Sequence, residues 1–322
     1  MNIAFAGFRH GHIYVLYRQA VENKDVNISY CFEENEEAKK AAEESGVVFN
    51  AKSYDEILKD ESVDAVAIGD YYSKRGKLAI EALKHGKHII CDKPICTDLA
   101  ELDEIERLAK EKGLVVACML DLRYMPQAGK VKELIASGEI GDIHIASFTG
   151  QHCLDYGNRP GWYFEKGKHG GTINDIAIHG IDLIRYVTGK NLTKIDCARV
   201  WNAFADKEPD FGDSGQFMAQ MDNMAISADV SYAAPKMRTM MPTYWNFYIW
   251  GSKGMINFRY SDNLVHIYKE EETVIECDGG EIKHLEDFIK SINGEKTIME
   301  TFDVLKSQRQ VLEIQKEADK NM

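Results

Sequence analysis

Three residues have types and spacing that suit proton chemistry at an alcohol carbon. Lys93 lies in Cys91-Asp92-Lys93-Pro94, at the end of an apolar run, and Asp175 and His179 stand four residues apart in a helix-like segment. Oxidising a secondary alcohol removes a hydride from carbon and a proton from oxygen, and the protein must manage the proton. A histidine near neutrality suits the base. A cationic lysine can donate to the same oxygen and stabilise its alkoxide character. At i,i+4 spacing Asp175 shares a helix face with His179, where it could orient the ring and support its imidazolium form. Taken singly, a loop lysine is ordinarily solvated and an Asp/His pair ordinarily structural. A metal on Asp175, His179 and His169 is not expected, because no further Cys or His stands at ligand spacing.

A second constellation lies at the start of the chain. Gly7, Phe8, Arg9, His10, Gly11 and His12 separate a short apolar strand from a helix, where a loop that cradles phosphate belongs. The match to G-x-G-x-x-G is partial: Arg9 takes the second glycine position and His12 the third. A plain tight turn is the alternative. After the second strand, Glu33 is the candidate acceptor for adenosine ribose hydroxyls, and a solvated acid opening a helix is the alternative. Glu33, Glu34, Glu36 and Glu37 would repel a 2′-phosphate, so NAD is expected over NADP.

The run from Ala82 through Pro94, with Gly86-Lys87-His88 and Asp92-Lys93-Pro94, resembles the E-K-P region of the glucose–fructose oxidoreductase/inositol dehydrogenase (Gfo/Idh/MocA) family. Gly170-Gly171-Thr172-Ile173-Asn174-Asp175-Ile176-Ala177-Ile178-His179 is similar to that family's glycine-rich lead-in and D-x-G-x-H helix, with Ala177 in place of the glycine. The resemblance spans the chain, including the Gly251-Ser252-Lys253-Gly254 turn. It implies an NAD-dependent oxidoreductase acting on a sugar or cyclic polyol, with Lys93, Asp175 and His179 catalytic. Phe32 stands where the family often has its ribose-binding Asp. The family's T-P-N-x-x-H segment corresponds to Asp70-Tyr71-Tyr72-Ser73-Lys74-Arg75, so Asp70, Tyr71, Tyr72, Arg75, Asp92 and Lys93 are expected on the cofactor side. Arg123, His152, Trp162, Tyr163 and Tyr244 join the catalytic trio as expected substrate contacts, with simple packing as the alternative for the aromatic ones and His152. Two other readings stay open: a redox-assisted glycosidase or lyase holding NAD tightly, and a non-enzymatic NAD-binding regulator. A homo-oligomer, dimer or tetramer, is expected.

These residues must be positioned by elements. Strand and helix signals alternate through residue 122, which predicts a doubly wound parallel Rossmann sheet. After one further helix (126–137) and a strand (143–149), an irregular stretch follows over 151–171 and a helix over 172–188. Strand runs then succeed one another (215–221, 224–232, 245–250, 255–258) before a helical tail at 281–292 and 301–319. That succession predicts an α+β domain over 123–322 with a mostly antiparallel open sheet, used for substrate binding and oligomerisation. With 322 residues, 44% of them hydrophobic, the chain can bury real cores. A net charge of −13 argues against nucleic acid and anionic membranes as partners. The seven cysteines form no Cys-x-x-Cys pair and read as buried free thiols of a reducing compartment. With no basic leader or membrane-length apolar run visible, the expected location is the cytoplasm.

Overall fold

The structure, a computed structural model, describes residues 1–321 and divides into two compact units. The first comprises Met1–Met119, Gly167–Gly170 and Lys283–Gln308; the second comprises Leu120–Lys166, Gly171–Ile282 and the chain from Arg309 onward.

Strands β1 (Asn2–Ala6), β2 (Asn27–Phe32), β3 (Ala65–Ile68), β4 (His88–Cys91) and β5 (Val116–Cys118) form a parallel sheet in the order β2-β1-β3-β4-β5. Helices α1 (His12–Glu22), α2 (Glu36–Glu44), α3 (Tyr54–Lys59), α4 (Tyr72–Lys84) and α5 (Leu99–Lys112) lie between them in sequence. All four residues of β3 are buried, as a parallel strand covered on both faces requires. Asp98 caps α5 at its start, and Gly113, in the left-handed region, ends it. Helix α4 begins at Tyr72, three residues earlier than the apolar pattern from Arg75 suggests, so Tyr72 and Arg75 share a buried helical face.

The domain limit expected at residue 122 needs correction, because the tail is divided. Helix α8 (His284–Ile292) belongs to the first unit, where Leu285 and Phe288 enter the same core as Phe5, Ile13 and Leu16.

In the second unit, β6 (Ile143–Gln151), β7 (Leu192–Trp201), β8 (Ser214–Met221), β9 (Met224–Ser231), β10 (Asn246–Gly251), β11 (Gly254–Arg259), β12 (Leu264–Tyr268) and β13 (Glu272–Glu276) form one sheet. Its order is β13-β12-β11-β10-β6-β9-β8-β7. All its pairings are antiparallel except β6 with β9. Helix α6 (Pro126–Ala136) precedes the sheet, and α7 (Ile178–Thr188) follows a single π-helical turn, Ile173–Ala177. Alternation sorts the two faces. Ala146, Ile249, Ile256 and Ile267, partners across β6, β10, β11 and β12, are buried, while the adjoining row Ile145, Trp250, Met255 and Tyr268 lies toward the other face. Gly180 allows α7 to approach β6 closely, since a Cβ there would come within 2.2 Å of the Phe148 ring. Helix α9 (Thr301–Asp319) completes the chain. All seven cysteines are free; five are buried as expected, whereas Cys153 is half-buried and Cys197 exposed.

Candidate active site

The first unit carries the loop that follows β1. Gly7 has φ +86°, and a Cβ there would stand 2.6 Å from the Asp70 backbone nitrogen, so a larger residue would drive the loop off the end of β3. Backbone bonds pin the loop on both sides: Gly7 donates to Phe32 O at 2.9 Å and Arg9 to Gly69 O at 2.9 Å. Glu33 is turned inward. Its side chain is fully buried and accepts from the amides of Phe8 at 2.7 Å and Asn35 at 2.8 Å. Burial raises its pKa, and these two amides oppose the shift. Glu33 thus supports the loop, whose two backbone donors would otherwise lack partners.

The loop is also tied to the end of β4. His10 Nδ1 lies 2.6 Å and His12 Nδ1 3.0 Å from the two oxygens of Asp92, and the Arg75 guanidinium reaches the same carboxylate at 3.3 Å. Burial opposes ionisation of Asp92, yet these neighbours hold it well below the usual carboxylate range. Burial lowers His10 to about 4 despite Asp92, so at neutral pH its Nδ1–H donates from an uncharged ring. His10, His12 and Asp92 offer three ligand atoms within 4.8 Å of one another. The guanidinium on the same carboxylate disfavours a metal ion there and favours the hydrogen-bonded arrangement.

Arg75 is wholly buried and donates to the carbonyls of Asp70 (2.6 Å), Asp92 (2.9 Å), Lys93 (2.5 Å) and Pro94 (3.2 Å). It fixes the turn that bears Lys93, whose peptide to Pro94 is cis. Tyr72, also fully buried, lies beneath: the Lys93 ammonium is 5.9 Å and the Arg75 guanidinium 4.6 Å from its ring centroid. Arg75, Tyr72 and Asp92, expected as cofactor contacts, are all buried and joined to one another or to the loop by these contacts. Tyr71 is only half-buried and has Arg9 at 5.6 Å, Lys74 at 5.9 Å and Lys168 at 5.0 Å from its ring. Asp70 is buried and pairs with Lys74 at 3.0 Å. The residues fit a dinucleotide at this loop. The first turn of α1 has no acidic side chain and no side-chain cap, and a Cβ on Gly11 would meet open space.

The second unit carries Asp175 and His179. Gln315 Oε1 accepts from the amides of Ile173 (2.9 Å) and Asn174 (3.1 Å), satisfying donors at the start of the π-helical turn. That turn presents Asp175, and α7 presents His179; both are buried. Tyr232, one residue beyond β9, donates its hydroxyl to Asp175 Oδ2. Arg159 lies 4.4 Å from the Tyr163 ring centroid and 5.2 Å from that of Tyr232. Trp162 and Tyr163 are buried with centroids 4.2 Å apart. Trp245 gathers three expected residues around it: His179 at 5.7 Å, His152 at 5.6 Å and Tyr244 at 6.2 Å between centroids. Arg123 is elsewhere engaged. It is buried, donates through Nε to Asp182 at 2.7 Å with a second bond at 2.5 Å, and thereby anchors α7. Trp245, Tyr232 and Arg159 were not singled out from sequence. Trp245 adjoins Tyr244, but no local spacing points to Tyr232.

Residues 1–120 match the model of the oxidoreductase family with an NAD-binding Rossmann fold, and residues 129–257 match the GFO/IDH/MocA C-terminal domain. Levoglucosan dehydrogenase of Pseudarthrobacter phenanthrenivorans is 32% identical over 158 residues, covering 48% of this chain and 40% of the relative. The scyllo-inositol 2-dehydrogenase (NAD(+)) of Bacillus subtilis is 32% identical over 160 residues, covering 49% and 45%. The chain spans about half the length of the curated relatives it matches. Among solved structures, a levoglucosan dehydrogenase in complex with NADH superposes with TM-score 0.82 at 22% identity, covering 99% of this chain and 96% of that one. The aldose-aldose oxidoreductase of Caulobacter crescentus complexed with glycerol gives TM-score 0.79 at 17% identity, covering 100% and 98%. No helix among the described residues is long and apolar enough to cross a membrane. With its Rossmann and C-terminal portions each matched in the same order, the chain belongs to the Gfo/Idh/MocA family of oxidoreductases.

Proposed function

We propose that this protein is an NAD-linked dehydrogenase of a sugar or cyclic polyol. The observation that carries this reading is the buried Asp175 and His179 on consecutive helical turns, in a chain that also fixes Lys93 through Arg75. A bound nicotinamide would supply the hydride acceptor. The Gly7–His12 loop, the uncapped start of α1 and the half-buried Tyr71 would hold the dinucleotide. His179 accepts the proton of the substrate hydroxyl, Lys93 donates a hydrogen bond to the same oxygen, and Asp175 supports the imidazolium formed at His179. Trp162, Tyr163, Tyr244 and Trp245 supply aromatic surface of the kind that packs against a pyranose or cyclitol ring.

A panel of sugars and cyclitols with NAD and NADP, following NADH absorbance and sugar products together, tests the reading. Cofactor reduction in proportion to substrate supports it. Product formation without net reduction would identify a redox-assisted glycosidase or lyase instead, and cofactor binding without turnover on any member would favour a regulator.

NAD is proposed over NADP because Glu34 and Asp70, both paired with Lys74, stand beside the loop with the inward Glu33. Calorimetric titration should give tighter binding of NAD. Tighter NADP binding would instead assign the pocket to Arg9 and Lys168.

A homo-oligomer is proposed on the open face of the large sheet. There Ile145, Trp250 and Met218 are roughly half exposed, at 50%, 46% and 58%. The same face has a concavity of about 740 Å³ lined by residues such as Met218, Tyr248 and Gln216.

A further inference from the structure

Tyr232 is 1% exposed and lies just beyond β9, with its amide donating to Asp213 O at 2.9 Å. Its hydroxyl donates to Asp175, itself 2% exposed. Besides Asp175, the charged and titratable groups beside Tyr232 are Arg159 and Tyr163 from the 151–171 stretch. Arg159 is held over both tyrosine rings by donating to the carbonyls of Leu154 at 2.7 Å and Cys153 at 2.5 Å. Phe211 closes another side of Tyr232 at 5.4 Å between centroids.

We propose that Tyr232 is the positioning residue of the Asp175–His179 pair, fixing the Asp175 carboxylate and keeping it ionised. The argument is one of solvation. A carboxylate taken out of water reverts to its neutral acid unless protein donors replace the lost water. Burial, and then the neighbouring Asp175 charge, push the Tyr232 phenol well above its ordinary range. The phenol therefore keeps its proton and offers it as a hydrogen bond to the Asp175 carboxylate. A neutral Asp175 would provide no counter-charge for the imidazolium, and His179 would be a weaker base. Tyr232 thus acts through Asp175, without itself exchanging a proton with substrate. The proposal rests on the assignment of His179 as the base.

Tyr232→Phe tests it, because the ring is retained and only the donor is lost. Carboxyl NMR titration, with the Asp175 resonance identified from Asp175→Asn, should show the Asp175 pKa rising by about one unit or more in the variant. With a substrate found in the panel, kcat should fall about 10–100-fold and NAD affinity should stay unchanged. Adding Tyr232→Phe to Asp175→Asn should cost nothing further, since the tyrosine acts only through that carboxylate. An unmoved Asp175 pKa, or losses that add in the double variant, would overturn the proposal. Should Tyr232→Phe fail to fold, 3-fluorotyrosine at position 232 keeps the size of the ring and strengthens the donor. It should lower the Asp175 pKa, and no change there would equally overturn the proposal. Full turnover in His179→Ala would remove the base assignment while leaving the carboxyl titration to stand on its own, so the two failures are distinguishable.

Discussion

The roles proposed for His179, Lys93 and Asp175 are separable, which makes them testable one by one. General-base assistance is worth about 10²–10⁴-fold. His179→Ala should lower kcat by that order while NAD affinity measured by calorimetry stays nearly unchanged, because the proposed phosphate and ribose contacts lie in the first unit. Lys93→Met should do likewise, with some loss of substrate affinity, and Asp175→Asn should fall between wild type and His179→Ala. Wild-type turnover in His179→Ala would transfer the role of base to Lys93 or to a tyrosine hydroxyl such as that of Tyr163. The family was legible in the sequence because Lys93, Asp175 and His179 sit inside contiguous, order-specific motifs. Glu33, Arg75 and Arg123 were harder to read. Their residue types suit ligands, but buried backbone amides claim Glu33, four carbonyls claim Arg75, and Asp182 claims Arg123. Those competitors are distant in sequence or belong to the main chain, so residue type alone does not announce them.

Periodicity located several elements closely: α6, β9 and α9 lie within a residue of the limits their patterns indicate. Elsewhere local signals were outweighed. The apolar run beginning at Val63 enters the sheet only at Ala65, and Leu192 to Tyr232 contains three strands whose order cannot be read from alternation. The parallel match of β6 with β9 is of this kind, since it joins segments about 80 residues apart, as between Ile145 and Ala225. The π-helical turn before α7 was equally hidden, because a helical apolar pattern does not distinguish one inserted residue. Gly180 carries a sharper message. Its substitution by alanine would place a methyl group into the Phe148 ring, which cannot yield without moving β6 or α7. Gly180→Ala should therefore destabilise the protein by about 1–3 kcal/mol in denaturant unfolding, the usual cost of overpacking. A variant as stable as wild type would show that α7 can shift on the sheet.

The large sheet presents its unfilled face as a continuous cross-strand row, Ile145, Trp250, Met255 and Tyr268. If a second copy covers that face, Trp250→Glu places a charge in the contact and should shift sedimentation from oligomer to monomer, with secondary structure unchanged by circular dichroism. Wild-type protein that sediments only as a monomer at micromolar concentration would remove the proposal. The return of α8 to the first unit has a consequence for synthesis. The Leu285 amide donates to the Gln19 side chain at 3.3 Å across 266 residues of chain, and Phe288 enters the core beneath β1. When the β1 to β5 segment leaves the ribosome, the residues that finish its core have not yet been translated. The nascent Rossmann unit must wait, with part of its apolar surface bare, until nearly the whole polypeptide has been made.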